Sequence, residues 1–171
     1  MSVWTDVVGQ ERAVAVLDAA ARSARTLAQV RRAGPDTGPD TGPDAAGSGP
    51  AGANAGSGPD AGQGPDADAS AMTHAWLITG PPGSGRSVAA RAFAAALQCT
   101  GKVPGCGRCK PCRDVMAGSH PDVVRLATDK LLITMDEVKE LIGQAQRRPW
   151  TGSWRVILVE DADRMAERTT N

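Results

Sequence analysis

The hydrophobic positions of this chain follow two periods in alternation. Along residues 7–32, after a short extended lead-in, Ala13, Val14, Leu17, Ala20, Ala21, Ala24, Leu27 and Ala28 recur at three- and four-residue steps. That spacing predicts a helix with these side chains on one face, and with Arg12, Asp18, Arg22 and Arg25 mostly on the other. His74-Ala75-Trp76-Leu77-Ile78-Thr79 is a short apolar run suited to a buried strand. A glycine-rich turn over 80–87 follows, then an Ala-rich segment over 88–98 of high helix propensity. Val123-Val124-Arg125-Leu126 predicts a second strand. Thr134 and Glu137 have capping-box spacing, and Met135, Val138, Leu141, Ile142 and Ala145 then form an apolar helical stripe in a helix running to Arg148. Arg155-Val156-Ile157-Leu158-Val159 reads as a buried parallel-type strand, apolar and β-branched after its arginine and closed by Glu160 and Asp161. Residues 162–171 begin a further helix, so the domain reads as incomplete at its C-terminus. Strands alternating with helices predict an α/β fold around a parallel sheet.

Composition changes this picture at one place. The 171 residues hold 19 Lys+Arg against 19 Asp+Glu, but the charges are unevenly spread. Residues 34–71 contain six aspartates, no Lys or Arg, ten of the 20 glycines and six of the 12 prolines. Such a stretch has little to bury, and it predicts a disordered acidic insertion that serves as a spacer. The rest of the chain is left with a surplus of six positive charges. With one Phe, no Tyr and four Trp, the core must come from Ala, Val, Leu and Ile. Three segments result: an N-terminal helix within 1–33, the insertion at 34–71, and an α/β unit over 72–171. No apolar run approaches the ~18–20 residues of a membrane helix, and Met1-Ser2-Val3-Trp4-Thr5-Asp6 lacks the pattern of a secretory signal. A cytoplasmic protein is expected, and four cysteines in that setting point to metal or redox chemistry before disulfides.

Two groups of residues carry chemistry. A strand, a glycine-rich turn and a helix are the context in which G-x-x-x-x-G-K-[S/T] binds phosphate; this chain has Gly80, Gly83, Ser84, Gly85, Arg86 and Ser87. Glycines allow successive N–H groups to face phosphate oxygens, the helix start adds its dipole, and Ser87 offers a hydroxyl to Mg²⁺. Arg86 stands where lysine is wanted, and a planar guanidinium is not a substitute for a compact ammonium. The partner acids at the end of the last strand, Glu160 and Asp161, are in the reverse of the usual Asp-Glu order, and a displacement near 1 Å can cost ~10²-fold in rate. A nucleotide-binding fold is expected, with ATP binding and a decayed structural site both open and efficient hydrolysis disfavoured. The second group is Cys99-x6-Cys106-x2-Cys109-x2-Cys112, whose overlapping Cys-x2-Cys pairs converge on one point. Four thiolates suit structural zinc first. Iron–sulfur ligation uses the same residue type, but nothing else in the chain points to electron transfer. His120 reads as a hydrogen-bonded loop residue, and Trp150 and Trp154 read as core packing or strand approach.

Together these residues resemble a known family. Val7-Val8-Gly9-Gln10-Glu11 is similar to the opening box of AAA+ clamp-loader subunits, and a phosphate loop followed directly by four cysteines resembles the subunits of the bacterial DNA polymerase III clamp loader. His120-Pro121-Asp122, the Met135–Arg148 helix and the segment from Arg155 to Met165 continue the match in order. Arg86 and the Glu160-Asp161 order resemble the delta-prime type, in an actinobacterial style, more than the gamma/tau motor type. The resemblance covers 1–33 and 72–171. It implies a P-loop AAA+ domain, a parallel sheet flanked by helices with an inserted zinc module at 99–112. It also implies a part in loading the sliding clamp on primed DNA beside gamma/tau and delta subunits, with weak or absent ATP hydrolysis. By the same resemblance Gly80 to Ser87 match the phosphate loop, Glu160 and Asp161 the acidic pair, Val7 and Val8 the segment near the adenine, and the four cysteines the zinc ligands. Two alternatives remain at this point: a competent gamma/tau-like ATPase, and a zinc ribbon contacting nucleic acid through Arg108, Lys110 and Arg113.

Overall fold

A computed structural model describes residues 2–33, 72–128 and 130–165. The acidic insertion expected at 34–71 and the last residues of the expected C-terminal helix lie outside the described residues. The chain opens with a 3₁₀ turn, Val3–Asp6, capped by the Ser2 hydroxyl. Helix α1 follows at Glu11–Ala33, α2 at Arg86–Leu97, α3 at Lys110–Met116 and α4 at Met135–Ala145. Strands β1, Val123–Leu126, and β2, Val156–Val159, pair in parallel with Val123 opposite Val156 and Leu126 opposite Val159. A single 3₁₀ turn, Ala162–Arg164, leaves β2.

The alanines decide the packing. Ala92, Ala94, Ala95 and Ala96 of α2 are all nearly inaccessible, and small side chains let neighbouring helices approach the α2 backbone closely. The apolar face read for α1 is the buried one: Leu17, Ala20, Ala21 and Ala24 lie in the same cluster as α2 and Val115 of α3. Phe93 completes this core at 6% exposure, its ring meeting Trp76 edge-on at 5.2 Å between centroids. Burying a side chain of that size is worth on the order of 2–3 kcal/mol. The N-terminal segment is tied to the rest of the unit by hydrogen bonds over long sequence distances. The Val3 N–H and the Ser2 hydroxyl both donate to the Gly105 carbonyl, at 2.9 and 3.1 Å.

Several expectations need correction. The helix predicted over 7–32 begins at Glu11, because Ser2 caps a separate 3₁₀ turn and Val7 closes it through its N–H to the Trp4 carbonyl. The segment His74–Thr79 is not a strand. Trp76 and Ile78 do pack on the core, but a strand also needs a neighbour to exchange backbone hydrogen bonds, and the described residues supply none. Val156–Val159 is half-buried along its whole length, since the sheet among the described residues has two strands. Trp150 is 87% exposed and so is not a core residue. Helix α4 has the expected cap, with Thr134 Oγ1 accepting from the Glu137 N–H and the Glu137 carboxylate accepting from the Thr134 N–H at 2.8 Å. It ends at Ala145, earlier than Arg148. Its apolar stripe is only partly covered, with Val138 and Leu141 half-buried and Met135 and Ile142 at the surface.

Candidate functional site

Helix α2 connects two sites, one at each end. Its last turn delivers Cys99, its C-cap being Gln98. The loop then turns through Gly105 and Gly107, both with positive φ, to present Cys106 and Cys109, and α3 brings back Cys112. The four Sγ atoms lie within 4.8 Å of one another, with Cys99 and Cys109 at 3.9 Å. Ligands about 2.3 Å from a tetrahedral zinc stand about 3.8 Å apart, so a Cys₄ metal fits this cluster with little movement. No disulfide joins the cysteines. Backbone N–H groups of Arg108 and Cys109 lower the Cys106 thiol. At Cys109 burial opposes ionisation, yet N–H donors from Cys112 and Thr100 and the neighbouring thiols bring it down to about 6. Burial, reinforced by Cys109, pushes Cys112 up. A divalent cation bound among these sulfurs would favour their thiolate forms.

Arg25 of α1 holds this loop from outside. Its Nη1 donates to the carbonyls of Gly101 and Lys102 at 2.7 and 2.8 Å, and its Nη2 to that of Cys99 at 2.9 Å. Sequence periodicity had put Arg25 on the solvent side of α1; its partners, more than 70 positions away, carry no local signal. Gly101 itself lies against the thiols, where a Cβ would come within 2.8 Å of Cys106 Sγ. His120 is buried and takes no part in the cluster, its Nδ1 accepting the Asp122 N–H at 3.1 Å. Its pKa is lowered, mainly by burial.

The other end of α2 carries the glycine turn. Gly83 and Gly85 have φ of 79° and 82°, a conformation costly to any residue with a Cβ, and Gly85 is the N-cap of α2. The Ser84 N–H donates to the Pro81 carbonyl at 3.1 Å. The Ser84 hydroxyl and the Arg86 stem both lie against Gly80. Ser87, in the first turn of α2, lies near the Glu160 carboxylate at the end of β2. The same carboxylate receives Arg125 of β1 in a two-pronged pair, Nε to Oε1 and Nη2 to Oε2, each at 2.8 Å. That pairing, more than burial can oppose, lowers the Glu160 pKa. Asp161 is turned elsewhere: its φ is 49° and its carboxylate faces Arg164 at 3.6 Å. The structure thus brings Ser87 and Glu160 together and leaves Asp161 out. Both Glu160 oxygens accept from Arg125, so a magnesium ion at this corner would have to compete with the guanidinium. Val7 is buried and lines a shallow groove of about 520 Å³ with Trp4, Val14 and Pro104; no residue of 80–87 borders that groove, and Val8 is 83% exposed.

A third cluster escaped sequence reasoning. Asp122 is fully buried, and its carboxylate accepts the Trp150, Thr151 and Gly152 N–H groups at 2.5, 2.8 and 2.7 Å and the Thr151 hydroxyl at 3.1 Å. Arg155 adds a charge at 3.6 Å. This knot fixes the turn that feeds β2, and so sets where Glu160 lies.

A small parallel sheet among helices, with a glycine turn starting one helix and four converging thiols at its end, is consistent with a clamp-loader AAA+ domain. A family model described as "DNA polymerase III, delta subunit" matches residues 65–171, more than half of the chain, and the chain belongs to that family. Relatives agree. The chain is 34% identical over 102 residues to the DNA polymerase III subunit delta-prime of Pseudomonas aeruginosa, a match covering 57% of this chain and 31% of that protein. It is 31% identical over 102 residues to the delta-prime subunit of Escherichia coli, covering 57% and 30%. A tau/gamma subunit of Haemophilus influenzae is 28% identical over 103 residues, covering 58% and 15%. The chain therefore spans about a third of the length of the delta-prime relatives it matches. No helix among the described residues is long and apolar enough to cross a membrane.

Proposed function

We propose that this chain is the nucleotide-fold part of a delta-prime-type clamp-loader subunit, with a structural zinc module at 99–112 and a phosphate loop at 80–87 that does not hydrolyse ATP efficiently. In this reading it works in a hetero-oligomer with gamma/tau and delta subunits to place the sliding clamp on primed DNA in the cytoplasm, and contributes shape and subunit contacts more than chemistry. Residues 1–33 and 72–171 form one module, and 34–71 is an acidic spacer inserted into it. One observation carries the reading: neither acid is placed to order a water molecule, because Glu160 is clasped by Arg125 and Asp161 faces Arg164. Arg86 in place of lysine works in the same direction.

The chain's own residues suit a holding role. Ser87 sets the start of α2 beside Glu160 at the end of β2, and the cysteines bring the other end of α2 to α3. Zinc, when bound, supplies a redox-inert crosslink. The competent gamma/tau-like ATPase is the second reading, favoured by the tau/gamma relative. Steady-state phosphate release separates the two, measured on this chain mixed with delta and with gamma/tau subunits whose own phosphate-loop lysine is replaced. No release above that of the partners alone is expected. Turnover stimulated by primed DNA, and lost with Glu160→Gln in this chain, would establish the motor reading instead.

A further inference from the structure

The end of α2 opposite the glycine turn borders a cleft that the reading above leaves unused. It holds about 360 Å³ and lies between the last turns of α1, the end of α2 with the loop after it, and the turn that leads into β2. Arg25 and Arg32 reach it from α1. They stand two helical turns apart, about 10 Å along the axis, and Ala28 between them leaves the space open. Arg25 is held by the Gly101, Lys102 and Cys99 carbonyls, and Arg32 by the Ser153 hydroxyl at 2.9 Å. Those acceptors fix the two guanidiniums without neutralising them, and no carboxylate among the described residues pairs with either. No Asp or Glu among the described residues lines the cleft. Arg31 adds a third cation on the Trp154 wall, 6.0 Å from the ring centroid.

The floor of the cleft supplies a further donor. His120 lines it at 6% exposure. Its Nδ1 already accepts the Asp122 N–H at 3.1 Å, so the proton of the neutral ring sits on Nε2, which no acceptor among the described residues meets. Gln98 serves as wall: its Nε2 donates to the Trp154 carbonyl at 2.5 Å and its Oε1 is turned against Gly152. Asp122, beneath, has its charge met by three N–H groups, a hydroxyl and Arg155. Two unneutralised guanidiniums, an imidazole N–H and the Ser153 hydroxyl converging on one space are donors for an oxyanion, and planar guanidinium forks suit phosphate oxygens above all. We propose that this cleft is a phosphate-binding site with Arg25, Arg32 and His120 as its donors. It is separate from the glycine turn, which lies at the far end of the 12-residue α2, about 18 Å away. It does not rest on the nucleotide-site reading above. The phosphate is a free ion or part of a nucleic acid strand, one chemistry from two sources.

Proton–nitrogen NMR of the whole 171-residue chain, kept free of chelator and titrated with inorganic phosphate, tests it. The Nε–H signals of Arg25 and Arg32 and the Nε2–H of His120 should shift and saturate with a Kd of about 1 mM or tighter, while the amides of 80–87 stay in place. Arg32→Gln, at an exposed position in the last turn of α1, should weaken binding about tenfold, as expected for one lost charge-assisted contact, and Arg32→Lys should recover most of it. His120→Asn, which keeps an acceptor for the Asp122 N–H and loses the Nε2 donor, should weaken it as well. Arg86→Gln, at the glycine turn, should change nothing. A short oligothymidylate with and without a 5′-phosphate then identifies the source. Displacement of inorganic phosphate by the phosphorylated form alone marks a strand end, by both forms a strand backbone, and by neither a free ion; each supports the site. Shifts confined to 80–87, no saturation at Arg25, Arg32 and His120, or an unchanged affinity in Arg32→Gln would overturn it and leave the clamp-loader reading standing.

Discussion

Replacing Asp122 by asparagine should loosen the turn that sets β2 in place. The Asp122 carboxyl is shut away from water, which by itself disfavours the charge, yet N–H donors from Trp150, Thr151 and Gly152 with the Thr151 hydroxyl bring it from 3.8 down to about 2. At 1.36 kcal/mol for each tenfold step, that drop corresponds to roughly 2.5 kcal/mol in favour of the ionised, folded form. Asparagine removes the charge and, even with its carbonyl oxygen in the Oδ2 place, sets an NH₂ donor against the Trp150 N–H, so a loss on the order of 2.5 kcal/mol is expected at neutral pH. Urea unfolding followed by tryptophan emission measures it. With a slope near 2 kcal/mol per M, the midpoint should fall by about 1 M. The pH dependence gives an independent check. A carboxyl whose folded pKa lies below its unfolded value contributes its full stability above the unfolded pKa and loses it as pH falls through the folded one. The stability gap between wild type and Asp122→Asn should therefore be constant near neutrality and narrow between pH 4 and pH 2. A gap under about 0.5 kcal/mol at pH 7, or one that does not narrow in acid, would refute the assigned role.

Two further outcomes concern the cysteine cluster. Elemental analysis of the chain purified without chelator should find one zinc per chain, and Cys112→Ser, at the fully buried position, should lose the metal and lower the urea midpoint. Iron with visible absorption in its place would replace the zinc assignment with a cluster. Arg25→Ala should weaken zinc binding by about tenfold in competition with a chromophoric chelator, as removal of outer-shell support does elsewhere, because three carbonyls of the loop lose their donor. An unchanged affinity would reduce Arg25 to a surface contact.

What the residues announced in advance was what depends on near neighbours. Thr134 and Glu137 are three apart, and the cap they form needs nothing else. The cysteine spacing curls the thiols together within one loop, and the α1 stripe marks its buried face correctly from its period alone. Where pairing is remote, the reading of the sequence stopped or went astray. His74–Thr79 has a strand's composition without a partner's hydrogen bonds, and Trp150 has a core residue's bulk in a turn whose backbone is needed by Asp122. Arg25, Asp122 and Arg125 are the residues that matter most beyond expectation. Each looks ordinary in sequence, and each acquires its role from atoms 28 to 77 positions away.

Those distances also impose an order on synthesis. The Ser2 hydroxyl finds its acceptor 103 residues later, at Gly105. At ribosomal speeds of roughly 5–20 residues per second, α1, complete at Ala33, exists for roughly 3–14 s before the loop that it braces at Cys99, Gly101 and Lys102 has been made. During that interval Leu17, Ala20, Ala21 and Ala24 have no helix to cover them, so the nascent helix must survive as a solitary amphipathic segment. Alanine in three of those four positions suits that delay. The stripe is sticky enough to dock when α2 arrives and too small to recruit a wrong partner while it waits.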